Sequence, residues 1–195
     1  MSFRKEKKFR LTRHDFNLLK NDLLSKGMEP LFPKRVINSL YYDTKLYNMF
    51  NDSEEGVLPR KKLRIRWYND IRKARKEIKI SSTEGRYKKS YLINLSSELA
   101  LPESLFEQTY GMTQPSLFVS YSREYFSFKS MRVTFDSSIM YTNFRQTQKI
   151  AFEDSECVME IKVSADVPDD YIEKIFPIPT SRFSKYSRGL LISKK

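Results

Sequence analysis

The chain has 195 residues, 36 of them Lys or Arg against 24 Asp or Glu, for a net charge of +12. This length suits one domain with a real core, and the charge asks for an anionic partner: nucleic acid, anionic lipid or phosphorylated small molecules. A single cysteine and a single histidine exclude an internal disulfide and any Cys/His zinc site, so a metal here must be hard and oxygen-liganded.

The opening MSFRKEKKFRL has no apolar signal core, and no 18-residue apolar run follows, so neither a standard secretion signal nor a spanning helix is expected. Residues 3–11 read as a strand with Glu6, Lys8 and Arg10 on one face. Thr12 then offers a cap to a helix over 15–25, with Phe16, Leu19 and Leu23 at helical spacing, stopped by Gly27 and followed by Pro30 and Pro33. Residues 36–44 are β-rich, 45–50 suit one or two helical turns, and 51–59 read as a loop.

Residues 60–79 form the most patterned stretch. Lys62, Arg64, Arg66 and Tyr68 alternate with Leu63, Ile65 and Trp67. After a turn at Asn69-Asp70, Arg75, Glu77, Lys79 and Ser81 alternate with Lys76, Ile78 and Ile80. Successive strand residues face opposite ways, so a hairpin here has one mostly apolar face and one cationic face. A turn at Glu84-Gly85 leads to a strand over 86–95, and Ser96 suits the cap of a short helix reaching Leu101-Pro102. Residues 111–115 read as irregular and 117–126 as a strand carrying Arg123. A turn at Lys129-Ser130 precedes a strand over 131–137 with Arg132, Thr134 and Asp136. The strand over 157–164 sets Val158, Glu160 and Lys162 opposite Met159, Ile161 and Val163. Pro168 opens a helix to Ile175, and 181–192 read as a closing helix with Arg182, Lys185 and Arg188 at three-residue spacing. About eight strands with short connections suggest a mostly antiparallel sheet able to close into a barrel.

The charged faces admit two readings. Pointed outward, they make an ordinary basic surface. Pointed inward, they line a lumen whose desolvation is sensible only when water or a polyanion fills it. Glutamates within the cationic rows suit polyphosphate chemistry, which needs cations for the oxygens and carboxylates for a hard metal. Only five glycines are present and no Gly-rich loop, so phosphate binding would fall to side chains. Glu77 could equally just neutralise Arg64 or Arg75, and Asp43 and Asp136 suit structural roles at strand ends. Lys61 and Lys76, on the opposite face of their strands, are expected to tolerate alanine; His14 has no apparent partner.

The order of motifs carries a resemblance over residues 3–191. Glu6-x-Lys8-x-Arg10 resembles the signature of the triphosphate tunnel metalloenzymes. Asn38-Ser39-Leu40-Tyr41-Tyr42-Asp43-Thr44, Lys62-x-Arg64-x-Arg66, Glu77-x-Lys79, Tyr121-x-Arg123, Arg132-x-Thr134-x-Asp136, Glu160-x-Lys162 and Arg182-Phe183-Ser184-Lys185-Tyr186 follow in sequence. That series is similar to the VTC domain, the polyphosphate polymerase branch of the superfamily.

The resemblance implies an α+β, mainly antiparallel fold: an eight-stranded closed barrel with peripheral helices, as one domain over residues 1–195. Arg64, Arg66, Lys79, Arg123 and Arg132 would be the catalytic phosphate binders. Lys8, Arg10, Lys62, Lys162, Arg182 and Lys185 would hold substrate, and Glu160, with Glu6 as second, would ligate Mn²⁺ or Mg²⁺. The implied reaction moves the γ-phosphoryl group of ATP onto a polyphosphate chain. The alternatives are a triphosphatase of the same fold and a non-enzymatic module binding polyanions or nucleic acid. ATP or triphosphate and polyphosphate are the expected partners, with a membrane protein as a further candidate and no nucleic acid. The expected location is the cytoplasm, or the membrane periphery through such a partner. The membrane modules of the eukaryotic assemblies are missing from the sequence, which puts coupling to translocation in doubt.

Overall fold

The computed structural model describes residues 4–93 and 100–193. Ten strands and four helices follow one another along the chain: β1 (Arg4–Thr12), α1 (Arg13–Ser25), β2 (Glu29–Asp43), α2 (Asn48–Glu55), β3 (Arg60–Tyr68), β4 (Asp70–Ser82), β5 (Gly85–Leu92), β6 (Leu105–Glu107), β7 (Gly111–Phe128), β8 (Met131–Asn143), β9 (Ala151–Glu153), β10 (Glu156–Ser164), α3 (Asp169–Ile175) and α4 (Lys185–Ile192). Every pairing whose register is described is antiparallel. The hydrogen-bonded path is β1-β10-β8-β7-β2-β3-β4-β5, with the three-residue β6 and β9 attached to β7 and β8.

The path therefore holds the expected eight strands, but it is open: no pairing joins β1 to β5 among the described residues. The two ends show why. The outer side of β1 meets the segment before α4, where Ser181 N donates to Lys8 O. β5 ends the path as an exposed strand carrying Arg86, Lys88 and Lys89, and edge cations discourage further strand addition.

The chain divides into two compact units. The first comprises residues 4–35, 121–139 and 154–183. Its core joins Phe9 and Leu11 of β1, Phe16 and Leu23 of α1, Phe135 of β8, and Met159 and Ile161 of β10 with Ile172 of α3. Phe16 meets Phe135 edge-on at 5.1 Å. Helix α1 starts where Thr12 accepts the amide of Asp15, and the chain leaves it through Gly27, whose φ of +92° few other residues adopt.

The second unit comprises residues 36–93, 100–120, 140–153 and 184–193. Leu40, Tyr42, Met49, Leu63, Ile65 and Ala74 form its core. The Asp43 carboxylate accepts the amides of Thr44, Met49 and Phe50, tying the end of β2 to the start of α2. Ser184 caps α4 by accepting the amide of Ser187.

Several boundaries differ from expectation. Residues 111–115 are strand, because Gly111 (φ +74°) closes a tight β6–β7 hairpin that pairs Glu107 with Gly111. Strand β2 starts at Glu29, running through Pro30 and Pro33. Helix α2 occupies residues 48–55, much of the expected loop. The closing helix starts at Lys185 rather than residue 181, which leaves Arg182 on the preceding segment. The cap expected at Ser96 lies outside the described residues. No helix among the described residues is long and apolar enough to cross a membrane.

Candidate functional site

Each unit carries a charged strand face. In the second, the β3–β4 register sets Lys62 opposite Lys79, Arg64 opposite Glu77 and Arg66 opposite Arg75. Leu63 and Ile65, at 0% exposure, anchor the other face and so fix this one. β2 adds Ser39 opposite Arg66 and Tyr41 opposite Arg64, while β5 adds Lys88 opposite Lys79.

Arg64 is the centre of this face, at 4% exposure. Its Nε and NH2 donate to one oxygen of Glu77 at 2.9 and 2.6 Å, and its NH1 donates to the Tyr41 hydroxyl at 2.9 Å. Arg66 lies 3.9 Å and Lys88 3.3 Å from the same carboxylate, and Arg66 Nε donates to Ser39 Oγ. Burial pushes the Glu77 carboxyl up, but Arg64 and Arg66 outweigh it and hold the group at about 2. Glu77 thus neutralises Arg64; Arg75 turns instead to Ser90. Burial also opposes ionisation of Tyr41, yet Arg64, Arg66 and Lys185 together hold its phenol below the ordinary value. Lys62 donates to Ser184 Oγ at 2.8 Å, just ahead of α4.

In the first unit, β1, β10 and β8 align Glu6 with Lys162 and Arg132, Lys8 with Glu160 and Thr134, and Arg10 with Val158 and Asp136. The Lys162 ammonium lies 3.4 Å from Glu6 and 3.1 Å from Glu160, so both expected metal-ligating carboxylates converge on one cation. Lys8 contacts Glu6 at 3.3 Å and donates to Phe183 O. Arg123 grips Asp136 with Nε and NH2 at 2.6 and 2.7 Å. Burial works against that guanidinium, but Asp136, with Tyr121 and Glu160, more than offsets it and raises its pKa. Arg132 Nε is buried with no hydrogen-bond partner among the described residues. Arg10 spends its fork on Glu156 at the exposed end of β1.

No group of three or more His, Cys, Asp or Glu able to hold a metal occurs among the described residues. Glu6 and Glu160 still fit a hard divalent ion. A site for Mg²⁺ commonly uses one or two carboxylates and takes its other oxygens from substrate and water, and the pair already shares one cation.

Arg64, Arg66, Lys79, Lys62 and Lys185 therefore belong to the second unit, and Glu6, Lys8, Arg10, Arg123, Arg132, Glu160, Lys162 and Arg182 to the first. Sequence reasoning missed Tyr41 and Tyr186 as members of the polar network. The signal for Tyr41 was its two-residue spacing from Ser39 and Asp43, which puts all three on one face of β2. Asp136 does not end a strand: β8 runs on to Asn143, and the carboxylate is fully buried against Arg123. Lys61, on the opposite face, is no neutral position, since its ammonium lies 2.7 Å from the buried Glu107 and 2.6 Å from Thr109 Oγ1.

The family model of the VTC domain matches residues 3–109 and 96–194. Among solved structures, a conserved hypothetical protein from Pyrococcus furiosus aligns with a TM-score of 0.57 at 15% identity, covering 94% of this chain and 99% of its own. A protein from Pyrococcus horikoshii gives 0.54 at 14% identity, with 94% and 98% covered. A candidate adenylyl cyclase from Hippeastrum, described as having a dominant triphosphatase activity, gives 0.51 at 14% identity, with 99% and 97% covered. At these identities the likeness is one of fold. Among curated proteins, none matches the chain.

Proposed function

The chain belongs to the VTC domain family, and from that premise we propose that it is a polyphosphate polymerase drawing on ATP. A terminal phosphate oxygen of the polyphosphate chain attacks the γ-phosphorus of ATP. One P–O bond forms, the bond to the β-phosphate oxygen breaks, and ADP leaves. The attacking oxygen is already ionised at neutral pH, so the reaction needs positioning and charge stabilisation rather than a strong base. This suits a chain whose only histidine stands in the first turn of α1.

The observation that carries the reading is the side-chain chemistry of the two charged faces. Arginines and lysines recur at alternate strand positions with carboxylates set among them, and one of these arginines, Arg64, is buried and held on both edges. In the second unit Arg64, Arg66 and Lys79, helped by Lys62 and Lys185, take phosphate oxygens. In the first, Arg123 and Arg132 do so with Lys8, Lys162 and Arg182. The planar guanidinium can grip two oxygens at once, which a lysine cannot. The buried Nε of Arg132 supports its place in this set. Glu6 and Glu160 would hold the divalent ion, Mn²⁺ or Mg²⁺, which would neutralise phosphate oxygens when bound.

The second reading replaces the acceptor with water, giving a triphosphatase with the same cations. The activity described for the Hippeastrum protein favours it, by analogy of fold alone. Incubation with ATP and Mn²⁺, separating orthophosphate from long polyphosphate, decides between them. Long polyphosphate is expected. Orthophosphate alone would shift the assignment to hydrolysis, and no turnover of ATP or tripolyphosphate would refute both.

A further inference from the structure

Within the second unit, a continuous line of buried side chains joins helix α4 to Arg64. Tyr186, in the first turn of α4, donates its hydroxyl to Asp43 Oδ2 at 2.6 Å. Asp43 is 0% exposed and already accepts three backbone amides, so its orientation is fixed by β2 and α2. The Tyr186 ring stacks on the Tyr41 ring, with centroids 4.8 Å apart and planes 19° from parallel. Ser116 Oγ braces the stack, lying 3.0 Å from the Tyr41 carbonyl and 3.3 Å from the Tyr186 hydroxyl. At the far end, the Tyr41 hydroxyl oxygen accepts Arg64 NH1, and the guanidinium carbon lies 5.7 Å from the Tyr41 ring centroid.

The simplest account of two buried tyrosines is core filling, but their hydroxyls argue for more. A phenylalanine fills the same space without a buried polar atom to satisfy, and both hydroxyls here are spent on charged groups: one on Asp43, one on Arg64. Glu77 holds the Nε and NH2 of Arg64 through a single oxygen, so both of these bonds converge on one point at one edge of the guanidinium. A third anchor on NH1 fixes the plane. We infer that Tyr41 and Tyr186 are positioning residues for Arg64, through which the seating of α4 sets the orientation of its guanidinium. The cations around Tyr41 hold its phenol below the ordinary value despite burial, in keeping with an oxygen placed to accept.

The consequence for phosphate binding rests on the function proposed above, so the test has one arm that does not. Without ligand, nitrogen-15 NMR follows solvent exchange of the Arg64 Nε–H in wild type, Tyr41→Phe and Tyr186→Phe. Exchange is expected to quicken about tenfold or more in both variants, as the guanidinium loses the anchor on its NH1 edge. An unchanged rate in both would overturn the inference. If Tyr186→Phe does not fold, Tyr41→Phe, which keeps both rings, decides alone. In the second arm, calorimetry in chelator gives the tripolyphosphate affinity of wild type, Tyr41→Phe, Arg64→Ala and the double variant. Tyr41→Phe is expected to weaken binding about tenfold, and to add less than about twofold once Arg64 is alanine. An equal loss in both backgrounds would show that Tyr41 acts independently of Arg64 and sink the inference. Wild type that binds no tripolyphosphate would refute the proposed function instead, while the NMR arm still decides the positioning role.

Discussion

Glu77→Gln tests whether the carboxylate at the centre of the second unit's charged face is held there by electrostatic necessity. Glu77 is 4% exposed and faces Arg64 at 2.6 Å, Lys88 at 3.3 Å and Arg66 at 3.9 Å. Glutamine keeps the shape and one acceptor but leaves these cations uncompensated and points amide hydrogens toward them. Breaking a buried pair by removing one partner costs about 3–5 kcal/mol. At about 2–4 °C per kcal/mol for a chain of this size, the melting temperature should fall by about 6–20 °C. A second route gives a similar figure: the carboxyl is held at about 2 against an ordinary 4.5, which at about 1.36 kcal/mol per pH unit corresponds to about 3 kcal/mol. The sign follows from a depressed pKa. The stabilisation is complete above pH 4.5 and is lost as pH falls toward 2, so wild type should lose about that much more stability across this window than the variant. Calorimetric melting at pH 7 and along that range, with and without tripolyphosphate, reads all of this. The anion should raise the melting temperature more in the variant than in wild type, since it restores the missing negative charge. A drop under about 1 °C, or a variant that keeps the wild-type acid dependence, would refute the reasoning.

The two-residue alternation made the faces legible before the pairings were. Leu63 and Ile65 can reach a core only if Arg64 and Arg66 turn away from it, because a slip of one residue would put the cations into the apolar core, away from Glu77 and Tyr41. The same logic correctly split β10 into Met159 and Ile161 on the core side and Glu160 and Lys162 on the other. What alternation cannot supply is which strand lies beside which. The meeting of Glu6 and Glu160 on Lys162 depends on β1 pairing with β10 across more than 150 residues, and the tie of Tyr186 to Asp43 spans 143. Lys61 departs from its expected neutrality for a related reason: β6 has three residues, too short to show a period, yet it delivers Glu107 to that lysine. At the C-terminus, the spacing of Arg182, Lys185 and Arg188 is truly helical. Even so, the bond from Ser181 N to Lys8 O draws the segment onto β1, and Ser184 starts the helix three residues later. Closure of the sheet is likewise a property of strand edges, on which side-chain periodicity is silent.

Lys61→Ala strands the buried Glu107 with only backbone amides and should cost about 1–3 kcal/mol in a denaturant titration. Lys76→Ala, which gives up a single 3.5 Å surface contact to Phe106 O, should stay within about 0.5 kcal/mol; equal effects would contradict the assignment. Gly189→Ala would drive a methyl group into Tyr141 Cδ1 and to within 2.6 Å of Leu117 Cδ2, costing about 1–3 kcal/mol by overpacking, and a neutral result would mean α4 seats less closely than described. Glu160→Gln separates a metal ligand from a mere neighbour of Lys162. Glu160 shares the Lys162 ammonium with Glu6 and also acts on Arg123, whereas Glu77 takes two direct hydrogen bonds from the buried Arg64. Lys162 keeps Glu6 when Glu160 is neutralised, so the stability loss should be smaller than for Glu77→Gln. The charge that a hard cation needs is nevertheless gone. Turnover should then lose its response to Mn²⁺, while tripolyphosphate binding in chelator stays intact or tightens, one repulsive charge having been removed. If Glu160 only balances Lys162, the variant should change stability alone and keep the wild-type dependence on Mn²⁺. Turnover measured across Mn²⁺ concentrations, beside tripolyphosphate affinity in chelator, distinguishes the two, and a Gln variant with a normal metal response removes Glu160 from the site.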